Sequence, residues 1–347
     1  MKVEQNNFLV LRCFLYGDIH YRLSYLLTME PHNKRALIWL VGFFLILNAG
    51  MFIMFTVATE VRMSDPQDGP KKPDFVSLYG FDHSPWVQAV LVALHEAKIP
   101  YDLTTLPPPK LFLSSGIMMP AAKINGGKWR LDSEKIIHEL GYKAITDENL
   151  RLVYDAWVGV LHRPDSIPQF FRAFSRSSDE HPNFFIRFFR NFFRSFAAIY
   201  FCGLIRIGRI RVGYKPPQNF GDQFLEINRI LADSDGQFLD GETPGSFDFL
   251  FFGILQCHSS IPVPPLASLQ SDERLQNIRD WLSRMEDRLS GYGHSYTAKY
   301  FDTGSSSRRT AKLIEQGAFW MGLLFYATVL PITALAITFA YRKARQT

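Results

Sequence analysis

LYGFDHSPWVQAVLVALHEAKIPY (Leu78–Tyr101) decides how this chain is read. It starts as an apolar strand, breaks at Asp82-His83-Ser84-Pro85, and resumes with Val87, Val90, Leu91 and Leu94 at helical spacing. A polar turn followed by Pro at the first helical position is a helix start, because proline's missing N–H is not needed there. Ser84 therefore has two readings: it caps its own helix, or it faces a substrate from the helix start.

Reading outward, FVSLY precedes this stretch as the strand proper, and YDLTTL follows it as a second strand. A proline-rich connection, PPPKLFLSSGIM, leads to PAAKINGGKWRLDS, where Asn125-Gly126 lies between two short extended runs. That dipeptide is a hairpin signal, since the two-residue turn needs positive φ. SEKIIHELGY then reads as a short helix, with Ser133 at its start, where it could be a cap, and Gly141 at its end. The order is that of a thioredoxin-like domain. Tyr79 lies inside the first strand and reads as a packing residue.

Beyond Asp147 the pattern becomes helical. DENLRLVYDAWVGVL and GDQFLEINRILADSDG are amphipathic, GSFDFLFFGILQC is apolar nearly all round, and SDERLQNIRDWLSRMEDRL sets a Leu/Ile/Trp/Met stripe among charges. A helix apolar on every side belongs at the centre of a bundle, so an all-α domain is expected after the α/β one.

Two windows differ in kind. Residues 36–59 (ALIWLVGFFLILNAGMFIMFTVAT) and 317–341 (GAFWMGLLFYATVLPITALAITFAY) carry no charged side chain. As helices each is about 35 Å long, enough for a hydrocarbon core of about 30 Å, and both are expected to be transmembrane helices. The first lies too far from the amino terminus, and is too long, for a cleaved leader. Two spans place both termini on one side and residues 60–316 on the other. Basic residues flank every end (Lys34 and Arg35, Lys71 and Lys72, Arg308 and Arg309, Arg342 and Lys343), so charge does not choose the side.

The 347 residues are 47% hydrophobic, and the net charge is only +5, with much of the basic excess in one aromatic-rich stretch; nucleic acid is not an expected partner. Cys13, Cys202 and Cys257 have no CxxC spacing, so neither a disulfide framework nor a metal site is expected. The aromatic-rich stretch runs from His181 to Lys215, with Arg187, Arg190 and Arg194 on one helical face and phenylalanines over most of the rest. It has two readings. It is either a helix of the α-domain lining an apolar ligand site, or an interfacial helix with rings in the acyl boundary and guanidinium groups on lipid phosphate.

Three motifs taken in order resemble the glutathione S-transferase (GST) fold family: the opening stretch, MMPAAKINGGKWRLDSEKII (Met118–Ile137) and FLDGETPGSFDFLFFG (Phe238–Gly253). The resemblance covers about residues 74–290. It implies an α+β fold in which a thioredoxin-like domain (β-α-β-α-β-β-α) precedes an all-α GST C-terminal domain, here flanked by the two transmembrane helices. The expected division is an N-terminal segment 1–35, a span 36–59, a linker 60–73, the thioredoxin-like domain 74–145, the α-helical domain 146–300, a linker 301–316, a span 317–341 and a basic tail 342–347.

The resemblance further implies glutathione as co-substrate. Ser84 would be the catalytic residue, donating to the thiol sulfur and stabilising the thiolate. Met119 would pair its backbone with the cysteinyl part of the tripeptide, followed by Pro120 in cis. Asp132 would meet the γ-glutamyl ammonium and Ser133 the carboxylate, while Asp248 would be a structural cap reaching back to its own helix start. The expected activity is addition of glutathione to a hydrophobic electrophile, by a membrane-anchored enzyme whose globular part faces the cytosol, where glutathione is abundant. The expected partners are glutathione, a hydrophobic small molecule or lipid, the membrane and, as the family admits, a second copy in a homodimer. The competing reading is a non-catalytic scaffold resembling metaxins, which use this fold in import and partner docking.

Overall fold

The computed structural model describes residues 73–105, 107–115, 118–177, 181–212, 218–261, 263–301 and 310–344. The expected segment 1–35, span 36–59 and nearly all of linker 60–73 lie outside them. One compact unit ends at Thr328, and all packing described below is within it.

Its first half is a four-stranded sheet made of β1 (Val76–Tyr79), β2 (Tyr101–Thr104), β3 (Ala121–Ile124) and β4 (Trp129–Leu131). The strand order is β2-β1-β3-β4; β1 runs parallel to β2 and antiparallel to β3, and β3 antiparallel to β4. A parallel pair cannot be closed by a tight turn, and α1 (Pro85–Glu96) makes the crossover between β1 and β2. The proline-rich connection holds α2 (Pro109–Ser115), and α3 (Ser133–Glu139) follows β4. This is the thioredoxin-like order. The hairpin forms at Asn125 (φ 46°) and Gly126 (φ 71°), and Asn125 Oδ1 also accepts the N–H groups of Asp74 (2.9 Å) and Phe75 (3.0 Å), tying the turn to the start of β1.

The second half is helical: α4 (Asp147–Trp157), α5 (Ile167–Arg176), α6 (Phe184–Val212), α7 (Leu225–Asp233), α8 (Ser246–Ser260), α9 (Pro264–Ser271), α10 (Gln276–Arg288) and α11 (Leu313–Ala344). A small sheet followed by a mainly helical part matches the architecture implied by the resemblance. The all-round apolar helix, α8, is the centre: Phe247, Phe249, Phe251 and Phe252 are all buried, and they share one core with Leu78, Val90 and Leu94. Asp248 holds the start of α8, accepting N–H groups from Leu239 (2.8 Å), Asp240 (3.0 Å) and Gly245 (3.1 Å) and the indole of Trp281 (2.8 Å).

A second cluster joins Phe170 and Phe174 of α5, Ala198 of α6 and Phe319 of α11. The boundary expected at 317 thus falls inside a helix that begins at Leu313 and whose Ala318 and Phe319 are buried in the globular unit. The expected linker is partly structured too, since Ala311 N–H donates to Arg176 O (2.8 Å) beside a bridge between Ser177 and Thr310. Among the described residues, which on α11 include side chains only as far as Val329, no single helix is long and apolar enough to cross a membrane.

Candidate functional site

The sheet register brings the predicted residues to one end of the sheet. Tyr79 pairs with Ala121 and Ala121 with Leu131. One step further along each strand stand Gly80, Pro120 and Asp132, side by side. Gly80 is required here because a Cβ would overlap Val87, so only glycine lets the chain turn from β1 into α1 this tightly. Met119–Pro120 is a cis peptide. Asp132 has φ 84° and ψ 112°, a region that non-glycine residues rarely enter, so the chain holds a strained residue at the sheet end.

Ser84 occupies the N-cap position of α1, with extended backbone (φ −72°, ψ 129°), but its hydroxyl makes no capping bond to the helix. The first bond of α1 runs from Gln88 N–H to Ser84 O (2.9 Å). The N–H groups of Trp86 and Val87 therefore have no intrahelical acceptor, as at any helix start. The capping reading of Ser84 is corrected: at only 8% exposure, its side chain lines a cavity instead. Pro85 is fixed from behind by α8, where Gly253 lies so close that a Cβ would overlap Pro85 O. The centre of the helical half thus sets the position of this helix start.

The cavity is an open cleft of about 270 Å³ between the two halves of the unit. Ser84, Trp86 and Met119 form its sheet-end wall, Trp157, Phe170 and Phe174 a second, Tyr200, Phe201 and Ile205 of α6 a third, and Cys257, His258 and Ile261 of α8 the far side. Among the described residues, no Asp, Glu, Lys or Arg side chain lines it. Rings pack around it, with Trp86 5.8 Å from Trp157, and His83 edge-on to Phe174 at 5.5 Å. Such a chamber takes a largely apolar ligand.

Burial shifts two of its ionisable groups. His258 is pushed down to about 4, first by burial and then by nearby His162, against the effect of its bond to Ala156 O at 3.1 Å. His162 Nδ1 accepts Gly159 N–H (3.1 Å). Burial raises the Cys257 thiol to about 12, which disfavours the thiolate at neutral pH. Tyr79 is raised to about 12, by burial and then by Tyr200; it packs against Leu111 and Ala121, as its place inside the strand implies.

Asp132 and Ser133 stand beside this chamber and not in its lining. Asp132 lies 3.6 Å from Lys135 in an exposed ion pair, and Ser133 is buried as the first residue of α3, with Ile136 N–H bonded to Asp132 O (3.0 Å). The result is two adjoining regions: a polar shelf at the sheet end formed by Asp132 and Ser133, and an apolar chamber whose lining includes Met119 and Ser84. Reading the sequence missed His162, His258, Trp157 and Phe174. These come from three segments of the helical half, and only the adjacent Cys257 and His258 gave any local signal. Among the described residues, no group of three or more His, Cys, Asp or Glu side chains could hold a metal ion.

No family model matches the sequence, and no curated protein matches it. Solved structures do. A glutathione transferase of Bombyx mori shares 16% identity over 74% of this chain and 100% of its own, with a TM-score of 0.36. A glutathione transferase of Phanerochaete chrysosporium in complex with oxidized glutathione shares 16% over 67% of this chain and 98% of its own, with a TM-score of 0.38. Glutaredoxin 2 of Salmonella typhimurium in complex with glutathione shares 14% over 62% and 95%, with a TM-score of 0.39.

Proposed function

We propose that this chain is a membrane-anchored glutathione transferase-like enzyme that joins the glutathione sulfur to a hydrophobic electrophile held in the apolar chamber. The observation that carries the reading is Ser84: a serine at a helix start, unused by its own helix, on the wall of an apolar cavity and beside a polar shelf. The tripeptide lies on the shelf, its cysteinyl backbone against Met119 and its γ-glutamyl end at Asp132 and Ser133. Its sulfur then reaches Ser84, whose hydroxyl donates to it, and the start of α1 adds its positive end. Both favour the thiolate and release the thiol proton to solvent. The thiolate forms a C–S bond to the electrophile; a leaving group departs with the electron pair, or water protonates the adduct. The chamber supplies proximity and excludes water.

The anchor assigned to this protein is the pair of charge-free segments 36–59 and 317–341, with the globular part on the cytosolic side. Protease protection of residues 60–316 in sealed vesicles tests the topology; a protected globular part overturns the cytosolic assignment.

Titrating the full chain in detergent with glutathione tests the activity. Wild type binds; Asp132→Ala weakens binding about tenfold by removing a charged contact, and Ser84→Ala leaves binding nearly intact but lowers turnover about 10- to 100-fold. Absence of glutathione binding by the wild type would sink the reading. The competing reading is the metaxin-like scaffold; a stoichiometric membrane partner crosslinked in wild type, Ser84→Ala and Asp132→Ala alike would support it.

A further inference from the structure

Of the twelve large apolar side chains exposed among the described residues, five are on α6 and five on α11, so this exposure forms a patch. The two helices pack side by side and run parallel. Arg187 meets Glu315, Phe192 O faces Gly322, and Phe196 faces Tyr326 at 5.3 Å. The seam is built tightly. Glu315 is fully buried and bonds Arg187 Nε at 2.8 Å and Lys312 N–H at 2.9 Å, Arg187 also donates to His181 O and Pro182 O (both 2.6 Å), and a Cβ on Gly322 would overlap α6. Beside this seam the rings of Phe185, Phe189 and Phe193 lie one helical turn apart, while Leu313, Trp320 and Leu324 stand out from α11.

We infer that this α6–α11 face contacts the lipid of an anionic bilayer beside the α11 anchor, and that the apolar chamber takes its hydrophobic ligand from that bilayer. Three observations choose lipid over a protein partner. First, α6 contains six arginines and no acidic residue, and the carboxylate nearest the patch, Glu315, is already neutralised inside by Arg187. The exposed edge thus offers phenylalanine rings with the exposed Arg190 among them and no anionic side chain from α6, the composition of an interfacial helix. Second, the patch continues along α11 into sequence without a charge as far as Tyr341, which gives the face continuity with an apolar helix and not with a polar rim. Third, α6 leads from the patch to the chamber. Tyr200 stands two turns, about 10 Å, beyond Phe193 on the same side, and Tyr200, Phe201 and Ile205 form one chamber wall. The uptake half of the inference rests on the proposed function; the surface half does not.

The test reconstitutes the full chain in vesicles of phosphatidylcholine and phosphatidylglycerol that contain a photoactivatable phosphatidylcholine, and maps the lipid adducts by mass spectrometry. Adducts are expected on Phe185–Phe193 and Leu313–Leu324, at about ten times the level on exposed α7. Phe189→Glu with Phe193→Glu, at positions where no core contact is lost, abolishes the α6 adducts. It also lowers turnover of a bilayer-dissolved electrophile about fivefold or more, while glutathione affinity and turnover of a water-soluble electrophile stay unchanged. Adducts confined to α11 beyond Gly317 would overturn the inference while leaving an anchor. An α6–α6 crosslink that excludes lipid would overturn it in favour of a second copy of the chain. Labelling of α6 in a chain that fails to bind glutathione would keep the surface and remove the proposed function.

Discussion

Two phenylalanine-rich helices, α8 and α6, have opposite fates in the same molecule. In α8 every phenylalanine is buried, because α1, α4, α10 and the sheet side of the core enclose the helix. In α6 the faces toward α5 and α11 are covered while Phe185, Phe189 and Phe193 stay open, 56–69% exposed. Ring content does not separate the two helices; the arginines do. A guanidinium group cannot be buried without a partner. Arg187 finds Glu315 and Arg194 finds Ser177 O and lies 5.0 Å over the Phe174 ring, and the side chain of Arg190 sits on the exposed side of α6. An arginine-bearing helix therefore keeps one face toward a polar boundary, whereas α8, whose one acid is used as its cap, can be enclosed.

The largest effect should come from the enclosed helix. Phe251→Ala, measured by urea unfolding of the full chain in detergent, is expected to cost about 4 kcal/mol, because the ring's cavity has no route to solvent and cannot collapse freely. A loss below about 1 kcal/mol would mean that α8 is not the core. Next is a pH effect from His258. Its folded value near 4 lies below the ordinary 6.5, so the unfolded chain binds the proton more tightly. Stability is then full above about pH 6.5 and falls as pH drops toward 4, by about 3 kcal/mol in all. Asp248, which burial raises to about 6, acts in the opposite sense over much of the same window. The comparison of wild type with His258→Gln therefore isolates the histidine: the variant should gain stability on acidification where the wild type stays nearly level. Equal slopes would show that His258 is not held neutral.

A smaller effect tests the link between the enclosed helix and the site. Gly253→Ala pushes a methyl group into Pro85 O and should cost about 2 kcal/mol, with a lower turnover because the start of α1 and Ser84 move together. Unchanged turnover would separate α8 from the site. The smallest expected change is at the open helix: Phe189→Ala should alter unfolding by less than about 0.5 kcal/mol, since the ring has little protein around it. A large loss there would mean that α6 is enclosed as α8 is, and the contrast between them would disappear.

The sequence by itself determined the local elements. Pro85 marks the start of α1, Asn125-Gly126 sets the hairpin, and the uninterrupted apolar run after Gly245 marks the central helix, because each of these signals depends on neighbouring residues and backbone geometry alone. The family resemblance placed Asp248 as a cap, a role open to it because N3 can reach its own helix start without help from the fold.

The tertiary structure decided what those elements share. Whether the Ser84 hydroxyl caps α1 or faces a cavity depends on Gly253 holding Pro85 from a helix 168 positions later. The chamber walls come from α1, α4, α5, α6 and α8, and the positive φ of Asp132 has no signature in a dipeptide that would normally avoid it. The fate of the α6 phenylalanines was equally undecided in sequence, where lining a site and meeting a membrane were separate readings. The fold places the Tyr200–Ile205 stretch in the chamber wall and leaves the first turns of the same helix open, because burial depends on which neighbours the packing supplies and the chain's own periodicity does not encode them.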